Sequence, residues 1–308
     1  MKLSGKGVIW WNGELVPWAE ATVHVATHAL HYATSVFEGI RAYPGANGPA
    51  VHQLRPHARR MLDSCRIVGL PVKWNENELC DAILSTVRAN GHASSYIRPI
   101  AFRGYGQLGV DPSACPVDTA IIVIEHGAHF GVEALEQGID MGVSTWRRIA
   151  PDTLPALAKS AANYLNSQLV ILEARERGFT DGLALDHDGF VSEGSGANVF
   201  LVTRGALWTP DVGSSVLQGV TRGCVMQLAS DLGLKVNEAR VPREALYVAD
   251  EVFVCGTAAE VTPVRSIDRK PVGSGRRGPI TERLQREFQD LVLGRKPDRH
   301  GWLTSVGR

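Results

Sequence analysis

Ser192-Glu193-Gly194-Ser195-Gly196-Ala197-Asn198-Val199-Phe200 is the stretch on which the fold turns; Leu207-Trp208-Thr209 and Leu217-Gln218-Gly219-Val220-Thr221-Arg222 follow it. Small residues at 194–197 make a tight turn, and Val199-Phe200 opens a strand. From Thr221 the period changes, because Val225, Leu228, Ala229 and Leu232 recur at i, i+3, i+4 and i+7 on one helical face. The start of that helix offers backbone N–H groups and a favourable dipole end to an anion. Two segments accompany it: Ala158-Lys159-Ser160-Ala161-Ala162-Asn163-Tyr164, where turn becomes helix, and Gly256-Thr257-Ala258-Ala259-Glu260 beside a strand. Taken singly, a lysine at a helix start is usually a solvated charge and a threonine there an N-cap. Their order and company carry the information.

At 308 residues, and roughly 150 residues per domain, the length predicts about two domains, each with its own core. Hydrophobic residues make up 44% and charged residues 21%, with 32 Lys and Arg against 32 Asp and Glu, which excludes a disordered or collagen-like chain. The balanced charge provides no field for phosphate backbones or anionic lipid, so neither nucleic acid nor membrane is an expected partner. No apolar stretch approaches the roughly 18 residues of a membrane-spanning helix, and Met1 to Trp18 lacks a signal-peptide pattern, so a cytoplasmic location is expected. Cys65, Cys80, Cys115, Cys224 and Cys255 are widely spaced with no CxxC, and read as reduced thiols.

The first half opens with a hairpin, Val8 to Trp11 and Glu14 to Val16 around Asn12-Gly13, and continues with a second, Gly39 to Tyr43 and Ala50 to Leu54. Helices are predicted from Pro56 to a stop at Gly69, and from Asn75 to Asn90 with Asn75 and Glu78 as a capping box. Strands follow at Ser95 to Arg103 and Thr119 to Ile124, the latter apolar throughout and therefore buried on both faces. The second half brings a strand at Ile139 to Arg147 and a helix from Ser160 to Arg177 with Ala161, Leu165, Leu169 and Leu172 inward. Short strands, the Thr221 to Leu232 helix, further strands at Glu251 to Cys255 and Glu260 to Ile267, and an amphipathic helix with Ile280, Leu284, Phe288 and Leu291 complete it. The expected division is a small N-terminal domain over 1–126, a linker over 127–135 and a larger C-terminal domain over 136–308.

Two apparent motifs are set aside. Gly104-Tyr105-Gly106-Gln107-Leu108-Gly109 matches G-x-G-x-x-G, but Asp111-Pro112 and Pro116 forbid the helix that a dinucleotide site needs next. His24, His28 and His31 lie at helical spacing without a nearby carboxylate or cysteine to complete a ligand set, so no metal is expected.

Together the segments around Lys159, Glu193 to Phe200, Leu217 to Arg222 and Gly256 to Glu260 resemble the class IV aminotransferases, the fold type IV enzymes dependent on pyridoxal 5′-phosphate. The resemblance spans almost the entire chain. His31-Tyr32-Ala33-Thr34-Ser35-Val36-Phe37-Glu38-Gly39, Tyr96-Ile97-Arg98-Pro99 and Gly256 to Pro263 point within that class to the branched-chain amino acid aminotransferases. The fold so implied is a two-domain mixture of α+β and α/β, similar to D-amino acid aminotransferase, with a small α/β domain and a larger pseudo-barrel domain.

The resemblance also implies roles. Lys159 matches the amine that bonds the cofactor and moves the substrate's Cα proton, and Glu193 matches the anionic partner of the pyridine nitrogen. Tyr164 would hydrogen-bond the ring oxygen. Arg60, Leu217, Val220, Thr221 and Thr257 match the cofactor cup, in which Val220 supplies a backbone donor, Thr221 and Thr257 hydroxyls, and Arg60 a fixed positive charge on the phosphate. An aliphatic amino acid and glutamate must share one pocket. By resemblance Tyr96 and the backbone of Thr257-Ala258 take the α-carboxylate, Arg98 and Tyr32 the distal carboxylate of glutamate, and Phe37, Tyr164 and Gly39 the apolar wall. Leu108 and Val110 would enter the pocket of a neighbouring subunit, which implies a homodimer or higher homo-oligomer.

The implied reaction moves the amino group of L-leucine, L-isoleucine or L-valine to 2-oxoglutarate. The chain departs from the commonest pattern at His129, where a tyrosine is usual, at Gln218 in place of proline, and at Ala161-Ala162 in place of a glycine pair. An (R)-selective amine or D-amino acid transaminase, an aminodeoxychorismate lyase, and a non-catalytic cofactor-binding protein are the alternative readings.

Overall fold

Asn12 and Gly13 take φ of 50° and 114°, and the tight turn they make joins β1 (Val8–Trp11) to β2 (Glu14–Pro17) with Trp11 opposite Glu14. The computed structural model describes residues 3, 5–45, 48–126 and 132–307. It divides into two units, Met1–Gly127 with Ala158–Ala162 and Leu291–Arg308, and Ala128–Leu157 with Asn163–Asp290. The return of Ala158–Ala162 and of the C-terminal segment to the first unit has no counterpart in the boundaries expected from sequence.

The first unit continues with α1 (His28–Tyr32), β3 (Ser35–Phe37), β4 (Ile40–Tyr43), β5 (Ala50–His52), α2 (Leu54–Ile67), α3 (Glu76–Asn90), β6 (Ser95–Arg103) and β7 (Val117–Glu125). Helix α2 begins two residues before Pro56, because a proline in the first turn has no N–H that the helix would use. Asn75 caps α3 through the Asn77 and Glu78 amides while Glu78 returns a hydrogen bond to the Asn75 amide, the expected capping box. The sheet runs, in order, C-terminal strand Leu303–Ser305, β5, β4, β6, β7, β1, β2, with β3 also on β6. Its core is Val36, Ile40, Ile97 and Ile121 from the sheet, Met61 and Cys65 from α2, and Leu79, Ile83 and Val87 from α3. Gly104 to Pro116 runs to β7 without a helix, as the prolines require.

In the second unit come α4 (Val132–Gln137), β8 (Ile139–Arg147), α5 (Ala161–Glu176), β9 (Asp181–Leu185), β10 (Phe190–Gly194), β11 (Asn198–Thr203), β12 (Ala206–Pro210), α6 (Val220–Asp231) and β13 (Val236–Ala239). They are followed by β14 (Val241–Pro242), α7 (Ala245–Val248), β15 (Glu251–Gly256), β16 (Glu260–Ile267), β17 (Lys270–Pro271) and α8 (Pro279–Val292). Strands β11, β15, β16, β8, β9 and β10 are neighbours in that order, and β10 pairs back to β11 at Glu193 and Asn198, so the sheet closes into a barrel. Met141, Leu183, Val191, Val199, Leu201, Val252, Val254 and Val264 fill it. Alternation along β11 points Phe200 the other way, where its ring stacks on Phe253 at 5.0 Å.

One expected face is corrected. Helix α5 buries Asn163, Val170 and Ala174, while Leu165 is 63% and Leu172 53% exposed. The reason lies on β9: a Cβ on Gly182 would stand 2.6 Å from Val170 Cγ1 and 3.4 Å from Ala174 Cβ, so the helix approaches the barrel through its smaller stripe. A helix with two apolar stripes does not reveal from its period which one is covered.

Buried His52 gives the first unit a pH dependence. Burial, reinforced by His57 and opposed by Asp298, pushes its pKa from 6.5 down to about 3. The folded state holds this ring neutral while the unfolded chain protonates it below about pH 6.5, so acid favours unfolding. Between pH 7 and pH 5 this residue should remove about 2 kcal/mol of stability, and His52→Gln should flatten the dependence by that amount in denaturant titrations at the two pH values.

Candidate active site

In the first unit the site residues gather where β3 passes into β4. The Phe37 N–H donates to the Lys159 carbonyl at 3.1 Å, Val36 bridges Ser160, and the Lys159 N–H donates to Ser64 Oγ at 3.0 Å, so residues 158–162 lie against β3 and α2. Lys159 Nζ stands 5.2 Å from the centre of the Phe37 ring. The Arg98 guanidinium is 4.6 Å from the same ring, and its Nη2 donates to the Tyr96 hydroxyl at 3.0 Å. Tyr96 and Arg98, two apart on β6, thus share a face as strand alternation requires. Because Tyr96 Oη accepts from Arg98, its own hydrogen remains a donor for a ligand carboxylate. Gly39 leaves room for that hydroxyl: a Cβ there would fall 2.1 Å from Tyr96 Oη.

Arg60, on α2, sets Nε and Nη2 on the two oxygens of Glu38 at 2.7 and 2.8 Å, and His57 Nδ1 donates to Glu38 Oε2 at 2.8 Å. Burial alone would raise the Glu38 carboxyl, but the Arg60 charge beside it and the His57 hydrogen bond hold it well below the usual carboxylate range. Sequence reading missed Glu38 and His57. The available signal was a carboxylate set among Val36, Phe37, Gly39 and Ile40, in a run otherwise apolar.

Tyr32, Leu108 and Val110 form a separate group on the same unit, with Leu108 and Val110 60% and 86% exposed. Buried His28 joins them, stacking on Tyr32 at 4.5 Å and donating from Nε2 to the Gly109 carbonyl at 2.9 Å. His24 Nδ1 accepts from the Ala26 amide and His31 Nε2 donates to the Val25 carbonyl, so each of the three histidines has its own partner. His129 lies outside the described residues.

In the second unit, barrel closure puts Glu193 opposite Asn198, and the buried carboxylate collects three donors: Arg148 Nη2 at 2.8 Å on Oε1, with Asn198 Nδ2 and the Leu217 amide each at 3.1 Å on Oε2. Three donors, one of them a guanidinium, offset the burial of this carboxylate. Arg148 was not found from sequence, where nothing distinguishes it from Arg147 before it. Asn198 also donates to the Leu217 carbonyl at 2.9 Å and packs on Gly219, where a Cβ would fall 2.0 Å from Asn198 Oδ1. Gly219 is the N-cap of α6 without a side-chain cap, so the amides of Val220 and Thr221 open the helix. The turn holding Thr257 and Ala258 belongs to the same end of the barrel: Asn198 pairs with Cys255, and a Cβ on Gly256 would meet the Gly196 carbonyl at 3.5 Å. Tyr164 lies in the first turn of α5, half-buried.

A family model described as amino-transferase class IV matches residues 35–267, which gives the class of the protein. The chain is 50% identical over 301 residues to the branched-chain-amino-acid aminotransferase of Escherichia coli, covering 97% of each, and 42% identical over 300 residues to that of Pseudomonas aeruginosa, again 97% of each. Its fold matches the crystal structure of the Escherichia coli enzyme with a TM-score of 0.96 at 49% identity, covering 98% of this chain and 100% of that one. The branched-chain amino acid aminotransferase from Thermobaculum terrenum, in its pyridoxal 5′-phosphate holo-form, matches with a TM-score of 0.93 at 37% identity, covering 98% of this chain and 99% of that one. The chain belongs to the branched-chain amino acid aminotransferases of class IV. Its cofactor is accordingly pyridoxal 5′-phosphate. The residues fit that group: an uncapped helix start beside a glycine no side chain could replace, and a buried carboxylate paired with Arg148 at the same end of the barrel.

Gly39→Ala should cost about 1–3 kcal/mol of stability through its collision with Tyr96. Adding Tyr96→Phe, which removes the oxygen and leaves the ring Cζ at 2.9 Å, should recover part of that loss in thermal unfolding.

Proposed function

We propose that this enzyme moves the amino group of L-leucine, L-isoleucine or L-valine to 2-oxoglutarate, releasing branched 2-oxo acids and L-glutamate, with the residues named above in their expected roles. One observation carries the substrate reading: the Phe37 ring has the Arg98 guanidinium against it, and Arg98 is bonded to Tyr96. Such a wall is apolar to an aliphatic side chain and cationic to a distal carboxylate, which a site serving both substrates in turn requires. Tyr96, with the Thr257-Ala258 backbone, takes the α-carboxylate; Arg98 and Tyr32 take the distal one.

Bound pyridoxal 5′-phosphate supplies an electron sink for the pair left when the substrate's Cα–H bond breaks. Lys159 Nζ accepts that proton and returns it, acting first as general base and then as general acid. Its place beside Phe37 is set by the backbone bonds of residues 158–162 to β3, so the amine is held by the sheet rather than by a mobile loop. Glu193 holds a proton on the ring nitrogen and Tyr164 donates to the ring oxygen. Arg60, Leu217, Val220, Thr221 and Thr257 hold the phosphate end. The exposed Leu108 and Val110, and Tyr32 joined to them through His28, reach a second copy in a homodimer or larger homo-oligomer, and His129 takes the distal-carboxylate role that the resemblance implies for it.

Among the described residues no helix is long and apolar enough to cross a membrane. We place the enzyme in the cytoplasm; of the linker expected over 127–135, residues 127–131 lie outside the described residues and 132–135 fall in α4.

The visible absorbance band of the cofactor-loaded protein should disappear with L-leucine and return with 2-oxoglutarate; turnover of (R)-1-phenylethylamine or D-alanine with none of leucine would overturn the substrate reading. Lys159→Ala should lower turnover by roughly 10²–10⁴-fold or more, and a variant at near wild-type rate would remove the lysine from the mechanism. Arg98→Ala should raise KM for 2-oxoglutarate roughly tenfold or more, with a smaller change for leucine, because one charge-assisted contact is lost.

A further inference from the structure

Glu38 is fully buried and gathers four donors: Arg60 Nε and Nη2, His57 Nδ1 and the Gly39 amide at 3.2 Å. Its own amide donates to the Pro99 carbonyl of β6 at 2.8 Å. The residue is therefore fastened by its backbone to the strand that carries Tyr96 and Arg98, and by its side chain to the helix that carries Arg60. Its chain neighbours are Phe37 and Gly39, the first beside Lys159 and the second beside Tyr96.

We propose that Glu38 is a positioning residue that fixes the Arg60 guanidinium for the cofactor's phosphate and locks that cation in register with the Phe37–Gly39 substrate wall. This rests on the reading that Arg60 holds the phosphate. A two-point contact through Nε and Nη2 fixes the plane of a guanidinium as well as its position. The edge that includes Nη1 then has one direction, set before any ligand arrives, and the ordering of a long side chain is not charged to binding. The alternative role for a buried carboxylate here is plain charge compensation. Burial pushes the His57 pKa down against the pull of Glu38, and the Glu38 carboxylate offsets the charge of Arg60.

The two roles give opposite signs in Glu38→Gln. Removing the negative charge leaves Arg60 uncompensated: under charge compensation alone the phosphate is drawn in more tightly, whereas under positioning the guanidinium loses its fixed plane and the phosphate is held less well. The measurement is the dissociation constant of the full-length, cofactor-stripped chain for pyridoxal 5′-phosphate and for pyridoxal, which lacks the phosphate, read from the visible absorbance band. Positioning predicts that E38Q weakens the phosphorylated form about tenfold while changing pyridoxal by less than about twofold. The double variant with Arg60→Ala should be no weaker than Arg60→Ala alone, because Glu38 acts through that side chain. Unchanged or tighter binding of pyridoxal 5′-phosphate by E38Q, or equal losses for both ligands, overturns the proposal. If Arg60→Ala itself binds both forms as wild type does, the phosphate role of Arg60 fails and the proposal with it, an outcome distinct from the preceding one. Should E38Q not fold, Glu38→Asp keeps the charge but draws it back by one methylene, and the same selective weakening of the phosphorylated form is expected.

Discussion

A carboxylate taken out of water must find donors, and in this protein that requirement organises each unit around one glutamate. Glu193 sits where β10 pairs with β11 to close the barrel, and its oxygens draw in Arg148, the Asn198 amide group and the Leu217 backbone. Those donors come from beyond the end of β8, from β11 and from the segment leading into α6. Removing any one leaves a buried charge less satisfied, so this carboxylate fixes the barrel end on which it stands.

The geometry of the α6 helix start follows from the same contacts. Asn198, bound to Glu193 on one side and to the Leu217 carbonyl on the other, presses on Gly219 so closely that no side chain fits there. A glycine N-cap leaves the first amides of α6 uncapped by a side chain, and a helix start of that kind accommodates a phosphate. The carboxylate and the helix start are thus not independent: one hydrogen-bonded asparagine connects them. In the first unit Glu38 has the corresponding place, between the cation of α2 and the strand passage that carries Phe37 and Gly39.

Much of this was legible along the chain because it is local. Strand β6 occupies the residues alternation assigns to it, Asn75 and Glu78 make their capping box, and Asn12-Gly13 makes its turn. The glycine-rich turn, the helix after Gly219 and the lysine before α5 stand in an order that declares the class, which the match over residues 35–267 bears out.

By itself the sequence determined most of the elements, since turn residues, caps and hydrophobic period act over a few neighbouring positions, and its resemblance to a known family implied the barrel fold and the class of chemistry. Only the tertiary structure decided which stripe of α5 is covered, because that depends on Gly182 of a later strand. It alone placed Ala158–Ala162 against β3 and matched Glu193 to Arg148 and Glu38 to Arg60 and His57. Partners of buried charges are chosen by where the folded chain brings donors within hydrogen-bond reach, and no local spacing encodes that distance.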